Sequence, residues 1–246
     1  MEPIYLATFL VALISSIFSG LAGGGGGFIM SPYWLLAGLS PAQGANVGAF
    51  TALGMGASSL VAFRKTGYLP KGVRLTVLLA VVTIAASIVG ALVLPKIDVS
   101  SFKTALALLT FASLPLLFVK RSHTHRFAQH RNIGIGLMIL LLIVSSVIMS
   151  SAFSLLIAIV LIGFFDLSTL QTTALRRLVT LSQSAVLFAV LTVQGFFIWQ
   201  HSLAGIIGGS IGSYIGTKFA ISNGETFAKW ALAIGALIGA VALLLT

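Results

Sequence analysis

The stretch LAGGGGGFIMSP, residues 21–32, places five consecutive glycines between two apolar runs. The run before it, 4–22, is long enough to cross a bilayer, whereas the run after it, 28–39, is too short to cross comfortably. Unwound backbone at membrane depth is tolerated only where protein buries it or where it lines a watery cavity. The stretch therefore predicts a broken membrane helix, and we expect the backbone of Gly24, Gly25, Gly26 and Gly27 to approach a ligand closely.

The short segment after the glycines also has an electrostatic consequence. If 28–39 is a helix, its N-terminus directs amide N–H groups and the positive end of the helix dipole towards the break, which favours an anion. The alternative is a close crossing of helices through small residues, a common use of glycine in membrane proteins. Five glycines in a row favour the binding site over the crossing.

Composition assigns the chain to membrane proteins. Of its 246 residues, 58% are hydrophobic and 7% are charged, and the formal net charge is +10. Lysine and arginine occur in short clusters between apolar runs, as they do in cytoplasmic loops, so the positive charge does not indicate nucleic-acid binding. The absence of cysteine excludes a disulfide framework, a thiolate metal site and a cysteine nucleophile. The first apolar run has no basic region before it, and we treat it as a retained helix, not a signal peptide.

An internal repeat follows from the order of the apolar segments, which is long, short, long, long, long, and then the same again. The second short segment, 152–165, also follows a break, around Ser150 and Ser154. A shift of 128 residues aligns 39–67 with 167–195 without a gap. The identical pairs are Leu39/Leu167, Ser40/Ser168, Gln43/Gln171, Leu53/Leu181, Ala57/Ala185 and Gly67/Gly195. The ten segments are about 4–22, 28–39, 44–63, 73–94, 101–119, 133–150, 152–165, 174–193, 202–220 and 229–246.

Charge orients the two halves. The basic clusters at 64–74 and 120–131 are separated by two segments, so they share one side, which the positive-inside bias makes cytoplasmic. Continued alternation leaves only Lys96 and Lys103 on the outside and gives the halves opposite orientations. The sequence thus predicts an all-α polytopic protein of two inverted repeats, 1–119 and 133–246, joined by a basic cytoplasmic linker at 120–132. Inverted repeats with broken helices are typical of secondary transporters, whose substrate site lies near the midplane.

The stretch FSGLAGGGGGFIMSPYWLLAGLSPAQGANVGAFTALGMGASSLVAFRKTGYLPKG, residues 18–72, resembles the first repeat of the sulfite exporter TauE/SafE family. The resemblance implies a permease of the cell (plasma) membrane for small anions such as sulfite, sulfoacetate and related sulfonates. The second repeat departs from the family pattern. It has SSAFS at 150–154 where the family often repeats a glycine-rich break, and ALRRLVTLSQS at 174–184 supplies two arginines.

Small polar residues near the two breaks are candidates for holding an anion. Gln43 and Gln171 are repeat mates, which we expect to face each other across the pseudo-twofold axis. Their alternative role is to cap the next helix. The remaining candidates of this kind are Asn46, Ser151, Ser154 and Thr172.

Arg176 and Arg177 open a spanning helix, and a guanidinium is the usual fork for a sulfonate or carboxylate. The alternative for either arginine is ordinary anchoring at the cytoplasmic surface. Gln183, with Ser182 and Ser184, lies about two turns deeper and is the best midplane polar cluster, although Gln183 is also able to bond between helices.

Two other functions stay open beside an anion permease. A cation or metal transporter usually buries carboxylates or thiolates, and an intramembrane hydrolase needs a Ser–His or paired-acid constellation within the bilayer. Asp166, the acid after the second short segment, is expected to cap a helix or to form a salt bridge, and it is the fallback for energy coupling. His123, His125 and His130 lie in the linker, where we expect no metal. The expected partners are the anionic substrate and the lipid bilayer, without cofactor or nucleic acid, and a homodimer is left open.

Overall fold

The computed structural model describes residues 3–22, 26–64, 66–69, 73–98, 131–148 and 152–244. Every regular element in these ranges is helical, which confirms the predicted all-α membrane fold. The predicted segment 101–119 lies outside the described residues. The helices are α1 (Pro3–Ala22), α2 (Gly27–Leu36), α3 (Pro41–Phe63), α4 (Val73–Val93), α5 (Arg131–Ile148), α6 (Ala152–Phe165), α7 (Thr169–Val193) and α8 (Trp199–Leu244).

Four helical stretches within the described ranges are long and apolar enough to cross a membrane. They are Ile4–Leu21, Pro41–Phe63, Arg74–Lys96 and Thr169–Val193. The range α8 includes the predicted segment 202–220 and the predicted segment 229–246 as far as Leu244, and one residue between them separates two helical parts. That residue is Gly224, whose φ of 78° and ψ of −175° are not helical.

Two helices begin with the same side-chain structure at positions 128 residues apart. At the start of α3, Ser40 Oγ accepts a hydrogen bond from the Gln43 amide (3.3 Å), and Gln43 Oε1 accepts one from the Ser40 amide (3.0 Å). Ser168 and Gln171 repeat this arrangement at the start of α7, with the same two distances. These capping boxes satisfy amide groups that a helix start leaves without intrahelical partners.

Residues with a positive φ angle also occur in pairs that are 128 residues apart. Gly38, after α2, has φ 79°, and its counterpart Asp166, after α6, has φ 52°. Gly67 and Gly195, after α3 and α7, have φ 73° and 87°. A left-handed residue commonly ends a helix, and aspartate is among the few residues other than glycine that enter this region routinely. The local geometry of the two halves therefore corresponds from the end of each short helix to the end of the next long one.

Helix pairs that pack together have equivalent pairs elsewhere in the chain. Under the 128-residue shift α1, α2, α3 and α4 are equivalent to α5, α6, α7 and the part of α8 before Gly224. The extensive contacts of α1 and α3 with α8 have counterparts in the contacts of α5 and α7 with α4. The equivalent helices α3 and α7 pack antiparallel, because Asn46 near the start of α3 contacts Thr192 at the end of α7, and Gly56 further along α3 contacts Leu181.

The most extensive helix contact joins α1 and α8 through small residues. Gly208, Gly212 and Gly216 stand four residues apart on one face of α8 and lie against the backbone of α1. Ser59 of α3 also bonds to α8, through Ser213 (2.7 Å) and Thr217 (2.8 Å). Small residues allow membrane helices to approach closely, and hydroxyl pairs add interhelical bonds. This side of the molecule is consequently packed backbone to backbone.

Candidate functional site

A cavity of about 220 Å³ lies between the start of α2 and helices α3 to α7. Its polar groups come mainly from α7, as Arg176, Thr180, Gln183 and Ser184. Spacings of four, seven and eight residues put these side chains on one face of the helix. From Arg176 to Leu187 the lining extends about 16 Å along α7 at 1.5 Å per residue. The wall from α4, α5 and α6 is mostly aliphatic. It includes Ser145 beside Leu79, Met138, Leu142, Ile157 and Leu161.

The two adjacent arginines lie in different surroundings. Arg176 lines the cavity, where it is the one charged side chain among the described lining residues. Arg177 is 5% exposed and is directed at α1, where its Nη2 donates to the Ser19 carbonyl oxygen (2.6 Å) and to Ser19 Oγ (3.0 Å). Successive residues on a helix are about 100° apart, so one arginine can face a cavity while the next faces a neighbouring helix. Arg176 is therefore the arginine that can meet a substrate in this cavity.

Arg177 also bonds to the last turn of α1. Ser19 belongs to the last turn of α1, immediately before the glycine stretch. Across from it, Gly26 packs so closely that an added Cβ would lie 2.7 Å from the Ser15 carbonyl oxygen and 2.9 Å from Ser19 Cβ. The next residue, Gly27, begins α2 and lines the cavity. The last turn of α1 thus contacts both Arg177 and the residue that precedes α2.

The cavity receives different side chains from equivalent positions of the two halves. Arg176 corresponds to Gly48 under the 128-residue shift, and Thr180 corresponds to Ala52. All four residues line the same cavity. The second half supplies a cation and a hydroxyl, whereas the first supplies a glycine and an alanine, which leave room for them. The charge in the described cavity lining therefore comes from the second half alone, although the local fold is repeated in both halves.

Gln43 and Gln171 serve as helix caps, the alternative role considered for them. The expectation that they face each other is wrong. Because α3 and α7 pack antiparallel, their starting residues lie at opposite ends of the helix pair. Each side-chain oxygen is engaged in its own capping box, and neither glutamine lines the cavity.

Asn46 and Thr172 are buried between helices and do not line the cavity. Asn46 Nδ2 donates to the Phe188 carbonyl oxygen (3.2 Å) and to Thr192 Oγ1 (3.0 Å). These bonds join α3 to α7. Thr172 Oγ1 is buried without a hydrogen-bond partner among the described residues. Gln183, in contrast, lines the cavity.

Several candidates lie outside the described residues. They are Gly24, Gly25 and Ser151, together with the side chain of Ser154 and the linker histidines His123, His125 and His130. Within the described ranges, no group of three or more histidine or acidic side chains is placed to hold a metal ion.

The cavity contains residues that the sequence analysis did not single out. Thr180 stands one turn after Arg176, so helical periodicity alone would have grouped it with Gln183 and Ser184. Gly48 could have been found as the repeat mate of Arg176. The aliphatic wall from Met138 and Leu142 had no sequence signal, because nothing distinguishes a cavity leucine from a lipid-facing one in a uniformly apolar helix.

A polar cluster outside the cavity joins the C-terminal end of α2 to α1 and α8. Thr8 Oγ1 donates to the Ile4 carbonyl oxygen (2.9 Å) and lies 2.8 Å from Tyr33 Oη and 2.9 Å from His201 Nδ1. A hydroxyl has one proton, so if Thr8 gives it to Ile4, it accepts from His201, whose Nδ1 then carries hydrogen. Trp34 packs beside this cluster and over Gly44 of α3. The short helix is consequently held at its end by α1 and α8 and at its start beside the arginines.

Known proteins are similar to this chain over nearly its whole length. The profile of the family described as "Sulfite exporter TauE/SafE" matches residues 8–243. A "Probable membrane transporter protein ORF9" from Sinorhizobium sp is 24% identical over 248 aligned residues, which cover 98% of this chain and 91% of that protein. No solved structure matches the chain.

Proposed function

Because the chain belongs to the sulfite exporter TauE/SafE family and is a membrane transporter of that type, we propose that it is a multi-pass permease of the plasma membrane for small anions. The substrates are sulfite, sulfonates or related sulfur-containing organic anions. The substrate binds in the cavity between α2 and α7, and alternating access exposes that cavity to one side of the membrane at a time.

The position of Arg176 is the observation that carries this proposal. Arg176 lines a cavity among the helices, and the described lining includes no carboxylate. Thr180, Gln183 and Ser184 add hydrogen-bonding groups along the same face. An ionisable group at membrane depth is costly and usually marks a substrate pathway. A guanidinium matches the oxygens of a sulfonate or carboxylate in a bidentate manner, which favours an anionic substrate.

The correspondence of the two halves supports alternating access. Equivalent helices α3 and α7 pack antiparallel, as they do when two repeats are related by an axis in the membrane plane. The cavity lies against both of these helices and against the start of the short helix α2. Rocking of one half against the other around this site would then open it to either side.

Flux measurements in proteoliposomes test the proposal. Purified protein is reconstituted, and uptake of sulfite and methanesulfonate is measured under a potassium diffusion potential. We expect saturable flux in wild type. Loss of a charge-assisted hydrogen-bonding partner typically costs about 1.5–3 kcal/mol, so Arg176→Gln should weaken apparent affinity about ten- to a hundredfold.

Two variants control for charge and geometry. Arg176→Lys keeps the charge but loses the planar fork, and we expect intermediate affinity. Arg74→Gln removes an exposed arginine at the start of α4, and its flux should match wild type. Unchanged affinity in Arg176→Gln, with normal incorporation into the vesicles, would refute a substrate role for this cavity.

A further inference from the structure

An open groove on the outer surface of the helix bundle lies between the end of α3 and the middle of α8. Its volume is about 540 Å³. Ala62 and Thr66 form one side of it, and Tyr214, Lys218 and Ser222 belong to the other side. Among the described residues, the groove shares no lining residue with the candidate substrate cavity. It is therefore a separate surface with its own chemistry.

Lys218 is the one charged residue in the described lining of the groove, and its side chain is exposed. Its Nζ lies 4.8 Å from the centre of the Tyr214 ring, in a cation–π contact. Thr66 and Ser222 are not donors for an anion here, because each hydroxyl already donates to a carbonyl oxygen three residues earlier, at 2.8 and 3.0 Å. Binding of an anion in the groove would consequently depend on Lys218.

The groove lies where a membrane-spanning helix ends. The spanning stretch of α3 is Pro41–Phe63, and Arg64, which follows it, is exposed. The basic cluster at 64–74 predicts that this end faces the cytoplasm. Basic residues beside spanning helices attract the anionic lipids of the cytoplasmic leaflet. The groove thus has the position expected for a site that holds a lipid headgroup.

A row of exposed apolar side chains extends from the groove towards the start of α8. Its members are spaced by four residues, so they lie along one side of the helix, and they are Leu203, Ile207, Ile211, Ile215 and Phe219. Sixteen residues at 1.5 Å per residue give a length of about 24 Å. The hydrocarbon of one leaflet is about 15 Å thick, half of a bilayer core. An acyl chain that begins at the groove can therefore lie along this row through its whole leaflet.

We propose that the groove binds an anionic phospholipid, with the headgroup phosphate at Lys218 and one acyl chain along the exposed row of α8. The other candidate occupant of such a row is a second copy of the chain. In a twofold dimer through this row, both Lys218 side chains would lie at the same depth beside the axis, where like charges repel. A phospholipid supplies the opposite charge, so charge complementarity favours the lipid.

Native mass spectrometry of the full chain in detergent tests this proposal. The protein is titrated with dioleoyl phosphatidylglycerol and with dioleoyl phosphatidylcholine, which share their acyl chains but differ in net charge. One lysine near a membrane surface strengthens binding of anionic lipid about fivefold. We expect phosphatidylglycerol to bind at least about fivefold more tightly than phosphatidylcholine, and Lys218→Gln should abolish most of this preference. Lys96→Gln, which removes an exposed lysine outside the groove, should retain it.

A second pair of variants tests the groove itself. Ala62 lines the groove, whereas its neighbour Val61 is 65% exposed and does not line it. Ala62→Phe should fill the groove and weaken binding of phosphatidylglycerol, and Val61→Phe should leave it unchanged. If Ala62→Phe does not fold, the two lysine variants still decide the question.

Three results would overturn the proposal. The first is equal affinity for the two lipids in wild type, which is expected if the row is only solvated by the bilayer. The second is a preference for phosphatidylglycerol that persists in full in Lys218→Gln. The third is a dimer that Ala62→Phe disrupts while lipid binding stays unchanged, which would assign the groove to a second copy of the chain.

Discussion

Replacing Gly20 with alanine should push α1 away from α8 and destabilise the protein. A Cβ built on Gly20 would lie 2.7 Å from the Ser213 carbonyl oxygen and 2.7 Å from the Thr217 amide nitrogen, whereas ordinary contacts begin at 3.4 Å. Both atoms belong to the backbone of α8 and cannot rotate away. The helices must therefore separate by about 0.7 Å, the difference between the two distances.

The expected magnitude combines two opposing terms. Overpacking of a tight contact costs typically about 1–3 kcal/mol, while alanine in a helix interior gains about 0.5–1 kcal/mol over glycine. We expect a net loss of about 1–2 kcal/mol. For a chain of this length each kcal/mol corresponds to a Tm shift of about 2–4 °C.

Thermal unfolding in detergent, followed by tryptophan fluorescence, measures this loss. Gly136→Ala is the matched control, because Gly136 lies on α5 with nothing within 4 Å of the added Cβ. That variant should gain stability or remain at the wild-type Tm. A Gly20→Ala protein that melts at or above the wild-type temperature would refute the backbone-to-backbone contact between α1 and α8. An equal fall in both variants would refute it as well.

Three further changes test other parts of the structure. Ser40→Ala and Ser168→Ala should each lower stability by about 1 kcal/mol, and the two Tm shifts should agree because the capping boxes have equal geometry. Arg64→Cys and Val193→Cys, in a chain without native cysteine, should react with an impermeant maleimide from opposite sides of the membrane. Accessibility from the same side would contradict the inverted arrangement. Asp166→Asn should keep flux driven by a potassium potential, since asparagine also tolerates positive φ; flux that is lost in this variant would make Asp166 a coupling group.

The sequence predicted most helices of the described ranges, because an apolar run in a membrane protein has few alternatives to a helix. Runs of spanning length, glycine and serine breaks, and Ser–x–x–Gln before an apolar stretch each have a local physical cause. The bounds of α2, α3, α6 and α7 accordingly lie within a few residues of the prediction, and the predicted family is confirmed by the match over residues 8–243.

The candidate site was predicted less well because its contacts are distant in sequence. Which of Arg176 and Arg177 faces the cavity depends on where α1 packs against α7, and Ser19 is 158 residues before its partner. Gln43 and Gln171 were misjudged for a similar reason, since equivalent sequence positions do not become neighbours when their helices pack antiparallel. Periodicity identifies the face of a helix, but it does not say which neighbour covers that face.

The bond between Arg177 and Ser19 has a consequence for biogenesis. A charged side chain at the centre of an inserting helix costs about 2.5–3.5 kcal/mol, and α7 carries two adjacent arginines. The Ser19 acceptors that stabilise Arg177 belong to α1, which the ribosome has already completed when α7 emerges. Insertion of α7 is therefore expected to depend on α1 being present in the membrane. The order of synthesis, N-terminal half first, supplies the polar partner before the charge that needs it.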